Sequence, residues 1–570
     1  MQPLTIEQQK PTQLFYVTLA IIAAVVFITA KESDPGLVAT GVVLALVSAY
    51  PFYFWLLGWS QGLPIWPVFA LVNGITAALP IIQDPVTLEG YTPGEVVVGG
   101  MTMAGFIILG TAVWLALSTG KTKPPQVVWM IARQHSERYL FGFVLAGLVF
   151  QLNQLGGWIV FPGNTMQVVR GITIALNTMG IFVLAFYDGR GLLSRPQSLW
   201  LMLLAGVSAL AAAAGLIMAT AIVPVAMLLM GYTLGAGRIP WRACMVVFLV
   251  AAVLHPGKYA MRELYWGPER PAFKVSMLPQ FYLDWFSNGL QHIGDSVRSK
   301  ETQQEDERPS SIFERSGNLH MLLLVQQKSP DEVPFLNGIT YEPIPRLLVP
   351  RFLDSDKGFS HAGNVMLTVN YGLQSIEQTR STSIYWGLVP EAYANFGFIG
   401  VAALAVLLGV FYAYVTRLSA GVPMTSLRFV LGLLILGAAT KADTMGVFIT
   451  QQFQGVVGVM IAAVFLMRRE HNPLADVPEA FGGMRGQLRT GRVRGGPRRA
   501  APATSFFGNL PVAASHTDTG AAPDGLFSDL ATPAVSRGGP RRLPRWASYR
   551  QRKAALSGAT APQAADRRDA

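Results

Sequence analysis

The sequence is poor in charge and almost free of cysteine. Lys, Arg, Asp and Glu make up 14% of its 570 residues, whereas soluble domains carry about 25%. Cys244 is the only cysteine, which excludes an intramolecular disulfide and any metal site that needs several thiolates. HExxH, CxxC, Walker and dinucleotide-binding fingerprints are missing as well, so no motif indicates zinc, dithiol or nucleotide chemistry.

What the sequence has instead is long apolar runs, and hydrophobic residues make up 51% of it. A bilayer core of about 30 Å is crossed by a helix of about 20 apolar residues. The runs predict an all-α polytopic membrane protein. The twelve predicted spans lie at residues 14–30, 36–58, 64–82, 95–118, 139–161, 171–187, 198–217, 219–236, 241–255, 394–416, 427–447 and 452–467.

The short loops predict the orientation, because Lys and Arg in short loops stay on the cytoplasmic side. The turn after the third predicted span is surrounded by Asp84, Glu89 and Glu95 and contains no Lys or Arg. The loops expected on the opposite side contain or are flanked by Lys121, Lys123, Arg133, Arg138, Arg190, Arg195, Arg238, Arg242, Arg417, Arg428, Arg468 and Arg469. We expect a multi-pass protein of the bacterial inner (cytoplasmic) membrane, with both termini cytoplasmic and one large loop in the periplasm.

Four regions follow from this layout: nine spans in residues 1–255, the periplasmic loop 256–393, three spans in 394–467 and a tail 468–570. The tail carries 17 Lys or Arg against 8 Asp or Glu, which is nine of the eleven net positive charges. Its Gly-, Pro- and Ala-rich composition predicts disorder. A charge excess confined to such a tail does not indicate nucleic-acid binding. A tail with this charge either binds the headgroups of anionic membrane lipids or is simply solvated.

The predicted periplasmic loop is too long to be a passive connection. In its first part Phe281, Trp285, Leu290 and Ile293 recur at roughly helical spacing beside polar residues, which predicts a helix lying at the membrane interface. In the second part four arginines stand among apolar and aromatic residues. They are Arg315, Arg346, Arg351 and Arg380.

Two interpretations of these arginines are open. A planar guanidinium binds phosphate oxygens in bidentate fashion, so several of them together would suit a lipid diphosphate. Alternatively, they pair with acidic residues of the same loop and only hold it together. The acidic partners available are Glu342, Asp354, Asp356 and Glu377.

The stretches PFLNGITY, IPRLLVPRF and PEAYANFGFIG follow one another in this loop. Together with the preceding arginine and the twelve-span layout, they resemble the O-antigen polymerase family, the oligosaccharide repeat-unit polymerases of Wzy type, over residues 312–400. The resemblance implies a GT-C-like membrane glycosyltransferase for surface or exopolysaccharide. Its substrate would be an undecaprenyl-diphosphate-linked oligosaccharide, with no cofactor and no metal, and a chain-length regulator is an expected partner.

The resemblance also implies roles for residues. The expected diphosphate contacts are Arg346, Arg351 and Arg315. Arg380 is a further candidate that only its position in the loop supports. Contacts to the sugars are expected from Asn337, Tyr341 and Tyr393.

The transfer also needs a base that takes the proton of the acceptor hydroxyl. Glu391 is the first candidate, because it stands where the loop meets the tenth predicted span and burial there would alter its protonation. His361 is the alternative. Each also has a purely structural interpretation, since Glu391 would suit a helix cap or an ion pair and His361 a surface position.

Other functions remain open. A polysaccharide or lipid-linked oligosaccharide transporter or flippase would place polar groups within its spans. The spans contain few such groups, namely Gln151, Asn153, Gln154, Lys441 and Asp443. An O-antigen ligase, or another GT-C enzyme using Glu32 and Asp34 of the short first outer loop, is a further alternative.

Overall fold

The structure is a computed structural model of the chain. It describes residues 34–83, 90–120, 122–159, 165–216, 218–266, 274–298, 319–349, 358–380, 383–440 and 443–476, together with Tyr16, Leu19, Leu88 and Asp354. The described part is mostly helical, with one two-stranded sheet.

The helices, numbered in chain order, are α1 (Pro35–Leu56), α2 (Ile65–Gln83), α3 (Pro93–Ser118), α4 (Arg133–Gly156), α5 (Thr165–Gly189), α6 (Arg195–Ala213), α7 (Met218–Ala236), α8 (Trp241–Trp266), α9 (Leu278–Arg298), α10 (Leu319–Lys328), α11 (Ile344–Leu348), α12 (Ala362–Asn370), α13 (Leu388–Leu418), α14 (Leu427–Ala439) and α15 (Met445–Leu466). The strands are β1 (Val127–Ile131) and β2 (Met467–His471), paired antiparallel.

The prediction of a multi-pass membrane protein is confirmed by the length and composition of these helices. Nine described helices are long and apolar enough to cross a membrane, and α7 and α14 form shorter apolar helices. The first predicted span, 14–30, and the tail beyond residue 476 lie outside the described residues. A total of twelve spans therefore stays a prediction.

Two predicted boundaries are wrong in detail. α8 continues to Trp266, eleven residues beyond the apolar run, although Pro256 lies inside it. α14 ends at Ala439, so Asp443 is not part of a span but belongs to the connection that leads into α15. The apolar run gave the wrong boundary for the eleventh predicted span. Its last residues belong to the next helix, Met445–Leu466, which begins before the residues assigned to the last span.

The small sheet marks one end of the bundle, which we call the sheet end. β2 directly follows α15 and pairs with β1, so that Trp129 lies opposite Arg469. Asn472 is fully buried and its side chain donates to Pro125 O and Gly421 O, at 2.8 and 2.9 Å. The sheet end thus joins the chain segments that follow α3, α13 and α15.

The opposite end, which we call the loop end, carries residues 319–387 and the starts of α3, α13 and α15. Following the chain through the helices places the described basic residues of the predicted cytoplasmic loops at the sheet end and Glu95 at the loop end. Such segregation agrees with the positive-inside rule. The side of the membrane that each end faces stays a prediction.

The packing between α2, α3 and α13 depends on aromatic rings. The Trp66 ring lies over Gly110, where an added Cβ would be 2.1 Å from it, and its indole N–H donates to the Thr111 hydroxyl at 2.9 Å. Phe69 and Tyr412 complete the contact, with ring centroids 5.4 Å apart. A glycine on α3 therefore permits the large aromatic side chains that fix α13 in place.

The predicted interfacial segment is a helix, α9, but its apolar residues do not share one face. Phe281 and Trp285 are fully buried, whereas Leu290 and Ile293 are exposed. α9 packs on α8 through Gly257, where an added Cβ would lie 2.7 Å from the backbone nitrogen of Gly289. The close approach of two glycines selects the buried side, which spacing alone did not reveal. The position of α9 at a membrane interface stays a prediction.

Candidate functional site

The loop end of the bundle is covered by residues that were expected to carry function. Leu323 of α10 fills the space over Gly99 of α3, where an added Cβ would lie 2.4 Å from it. Beside it the Gln326 side chain donates to the Thr102 hydroxyl at 2.9 Å. These contacts hold the loop directly on α3, next to the start of α13.

Glu391 lies in the first turn of α13 and is completely buried. Its Oε2 accepts the backbone N–H of Met445 at 2.6 Å. Met445 is the first residue of α15, so the carboxylate meets the positive end of a helix dipole, where anions are stabilised. Oε1 lies against Gly363, where an added Cβ would be 3.2 Å away. The burial predicted for Glu391 is thus observed, and it caps a helix other than its own.

Asp443 lies beside this carboxylate. Its Oδ1 accepts from the Asn364 side chain at 3.1 Å and from the Thr444 backbone N–H at 2.8 Å. The Thr444 hydroxyl donates in turn to Asn364 Oδ1. Burial raises the pKa of Asp443, and the hydrogen bonds that its carboxylate accepts oppose this shift. The Glu391 carboxylate lies close enough to Asp443 for the two to interact electrostatically. Two carboxyl groups therefore share a low-dielectric pocket.

His361 stands at the edge of the same pocket. It occupies the N-cap position of α12 and is half-buried, with its ring stacked on Phe359 at 5.5 Å. Its electrostatic attraction opposes the upward shift of the Asp443 pKa. We call Glu391, Asp443, Asn364, Thr444 and His361 the Glu391 cluster. Both candidate bases belong to it, although 30 residues separate them in the sequence.

A second group of polar contacts supports Glu391 from the loop side. Asn395, one helical turn after Glu391, is fully buried and donates to the Thr340 hydroxyl and to Glu391 O, each at 2.8 Å. Its Oδ1 accepts the Gly338 backbone N–H at 2.9 Å. Asn395 thereby ties the segment PFLNGITY to the first turn of α13.

The residues predicted to contact sugars lie close to this support. Asn337 has φ of 50° and its side chain donates to Phe335 O at 3.1 Å, which assigns it to the turn. Tyr341 is half-buried beside Phe396, and burial, followed by the nearby Glu391 carboxylate, raises the pKa of Tyr341. Tyr393 is buried between Phe335 and Phe398. Of the three, Tyr341 is adjacent to the Glu391 cluster.

The predicted diphosphate contacts are only partly described. Arg346, in α11, donates from Nε to Oδ2 and from Nη2 to Oδ1 of Asp354, each at 3.0 Å. Its side chain is 61% exposed. This is the loop-internal pairing that the sequence left open. Arg315 and Arg351 lie outside the described residues, as does the side chain of Arg380, which ends a short 3₁₀ turn. Their convergence stays a prediction.

Other polar candidates have local roles. Asn153 exchanges two hydrogen bonds with the backbone of Ile159, at 2.6 and 3.1 Å, and so closes the end of α4. Asp34 accepts the Gly36 N–H at 2.7 Å and caps α1, while Glu32 and Lys441 lie outside the described residues. Within the described part, no three His, Cys, Asp or Glu side chains are placed to hold a metal ion.

Sequence reasoning missed the amides that build the site, Asn364 and Asn395. Asn395 follows Glu391 by four residues, so helical spacing places the two on one face and makes Asn395 detectable in advance. Asn364 carried no comparable signal, because its partner Asp443 is 79 residues away. A comparison of the chain with protein-family models, with curated proteins and with solved structures finds no match.

Proposed function

We propose that this protein is a GT-C-like membrane glycosyltransferase that polymerises polyprenyl-diphosphate-linked oligosaccharide units. The observation that carries the proposal is the meeting of Glu391, Asp443 and His361 in one pocket. The pocket lies at the junction of the loop with α13 and α15. Clusters of ionisable groups with perturbed protonation are typical of functional sites.

The proposed transfer needs one proton acceptor and one group that carries the leaving charge. The acceptor hydroxyl gives its proton to the base, and its oxygen forms a new bond to the donor sugar C1. The bond between C1 and the diphosphate oxygen breaks, and the lipid diphosphate leaves with both electrons. Guanidinium groups stabilise this leaving charge without themselves titrating.

We assign the base to Glu391 and keep His361 as its alternative. Beside Glu391, the Asp443 carboxylate is held in place by hydrogen bonds from the Asn364 side chain and the Thr444 backbone N–H. A preorganised site requires such restraint. Glu391 is enclosed by Gly363, whereas His361 is half-buried at the edge. An acceptor hydroxyl would therefore meet His361 before Glu391.

Arg346 is compatible with a diphosphate contact in spite of its pairing. Exposed ion pairs contribute only about 0–1 kcal/mol, and the Arg346–Asp354 pair is exposed on the Arg346 side. A diphosphate, with more negative charge than one carboxylate, would compete effectively for the same guanidinium. We propose Arg315, Arg351 and Arg380 as its further contacts, in the undecaprenyl-diphosphate-linked substrate.

A second candidate function is a proton-coupled transporter or flippase for the same class of lipid. The observation that favours it is also the buried pair of Glu391 and Asp443, because ionisable groups buried in membrane bundles often carry protons. The two functions differ in where intermediates accumulate.

The test uses Glu391→Gln in cells that depend on this chain for a polysaccharide. The polymerase proposal expects single lipid-linked units to accumulate on the periplasmic face. Accumulation on the cytoplasmic face would identify a flippase, and normal long-chain polymer in both Glu391→Gln and His361→Asn would refute both functions.

A further inference from the structure

A groove opens on the surface of the bundle between α3 and α13, with a volume of about 400 Å³. On α3 it is lined by residues three or four apart, which share one helix face. Residues one turn apart line it on α13. The lining residues used below are Val98, Met101 and Gly105 of α3 and Phe398, Val401 and Ala402 of α13. The volume lies within the range of about 300–1,000 Å³ for small-molecule sites.

The groove presents almost no polar atom. Its polar lining residue, Thr102, donates its hydroxyl to Val98 O at 2.7 Å and accepts from Gln326 at 2.9 Å, so that oxygen is satisfied within the protein. Val98, Met101 and Phe398 are each about half exposed. A hydrocarbon chain is the ligand class that such a lining fits.

The groove lies within two candidate spans, Pro93–Ser118 and Leu388–Leu418. Its α3 lining runs from Val97 to Leu109, which is about 18 Å of helix. It begins near the loop end, one turn below the start of α3. A chain in this groove would be open to the surrounding lipid along its length.

Aromatic rings connect the groove to the Glu391 cluster. Phe398 packs edge-on against Tyr393, with ring centroids 5.1 Å apart, and Tyr393 is two residues from Glu391. Between them α13 is kinked at Gly397, which has φ of 61°. The kink separates the first two turns of α13, which carry Glu391, from the part of the helix that lines the groove. The groove therefore ends beside the proposed reaction site.

We infer that this groove binds the polyprenyl chain of the lipid-linked substrate and so places its diphosphate at the loop end. The inference rests on the proposed function and adds the part of the substrate that lies in the membrane. A single apolar groove suits a lipid with one long chain, whereas a phospholipid brings two. Because lipid tails are as apolar as the groove, its contribution is positioning by close packing.

Gly105 permits a direct test, because an added Cβ there meets no atom within 4 Å. Gly105→Leu places a side chain in the groove without disturbing the fold. Gly206→Leu is the matched control, since Gly206 is an exposed glycine of α6 with equally open surroundings. We expect polymer synthesis to fall at least tenfold in Gly105→Leu and to stay within twofold of wild type in Gly206→Leu. Equal synthesis in both variants would overturn the inference.

Binding can be measured without turnover because Cys244 is the only cysteine. In full-length Cys244→Ser protein, Met101→Cys carries a fluorophore in the groove and Met202→Cys carries it on α6, where the parent side chain is similarly exposed. The probe lipid is undecaprenyl monophosphate, with a two-chain phosphatidic acid of the same headgroup as comparison. We expect a saturable signal for undecaprenyl phosphate at position 101 only, and at least tenfold weaker binding after Gly105→Leu.

The two proposals fail in different ways. An equal response to phosphatidic acid, or no response at position 101, refutes polyprenyl binding in the groove. The proposed reaction at Glu391 is then still tested separately by Glu391→Gln. Undiminished polymer in both Glu391→Gln and His361→Asn, with selective polyprenyl binding intact, refutes the proposed reaction and leaves the groove as a polyprenyl-binding site.

Discussion

Glu391 accepts the backbone N–H of Met445 at 2.6 Å, and this single contact joins the start of α13 to the start of α15. One carboxylate therefore serves a structural purpose, helix capping, and is also the proposed proton acceptor. Substitutions can separate the two because a glutamine carbonyl still accepts a hydrogen bond but does not take up a proton at neutral pH.

The first prediction separates capping from catalysis at Glu391. Glu391→Gln keeps the acceptor for Met445, so we expect a folded protein with polymer synthesis reduced about 10²–10⁴-fold, the usual contribution of a general base. Glu391→Ala also loses the cap and should unfold more easily, by about 1–3 kcal/mol. Thermal unfolding in detergent and the length of cell-surface polysaccharide are the measurements. Full activity in Glu391→Gln would transfer the role to His361, whose replacement by Asn should then abolish synthesis.

The second prediction concerns Arg346 and its partner. Arg346→Ala should abolish polymer and leave single lipid-linked units and membrane insertion intact, since the side chain is exposed and its ion pair contributes about 0–1 kcal/mol. The matched control is Asp354→Ala, which breaks the same ion pair but keeps the guanidinium. We expect that variant to make polymer. Equal loss in both would mean that the pair only holds the loop, and normal polymer in Arg346→Ala would contradict a diphosphate contact.

The third prediction addresses Asn364, which holds Asp443 and accepts from Thr444. Asn364→Leu leaves buried polar groups without partners and should lower stability by about 1–3 kcal/mol. Asn370→Leu, on the same helix, is the control, because Asn370 is exposed and its side chain donates to Met366 O within the same helix. Thermal unfolding of both proteins is the measurement. A similar, small effect in both would remove Asn364 from the support of the pocket.

The fourth prediction is a pH dependence due to Asp443. Burial raises the pKa of Asp443, so the folded protein holds this proton at pH values where the unfolded chain has lost it. Stability from this group is complete below the ordinary carboxyl pKa of about 4 and falls as the pH rises through the raised value. In Asp443→Asn the decline should be smaller.

The measurement for this prediction is the unfolding temperature of both proteins in detergent from pH 4 to about pH 8. Glu391 and His361 are present in both, so the difference between the curves reports Asp443 and its coupling to them. Parallel curves would show that the burial of Asp443 does not control its protonation.

The sequence by itself determined the membrane-spanning character of the chain and the approximate position of most helices. It did so because a helix in hydrocarbon must be apolar over its whole length, and this requirement is local. The predicted span 95–118 and the observed α3, Pro93–Ser118, differ by two residues at one end. The burial of Glu391 was predictable for the same reason, since it stands at the start of an apolar run.

Only the tertiary structure decided what Glu391 meets. His361 and Asn364 come from one segment and Asp443 from another, and no periodicity encodes a contact between residues 79 positions apart. The buried face of α9 was decided in the same way, by the approach of Gly257 to Gly289. Helix formation follows from a run of neighbouring residues, whereas a pocket requires several helices to pack at one depth. That packing depends on close contacts between surfaces far apart in the chain.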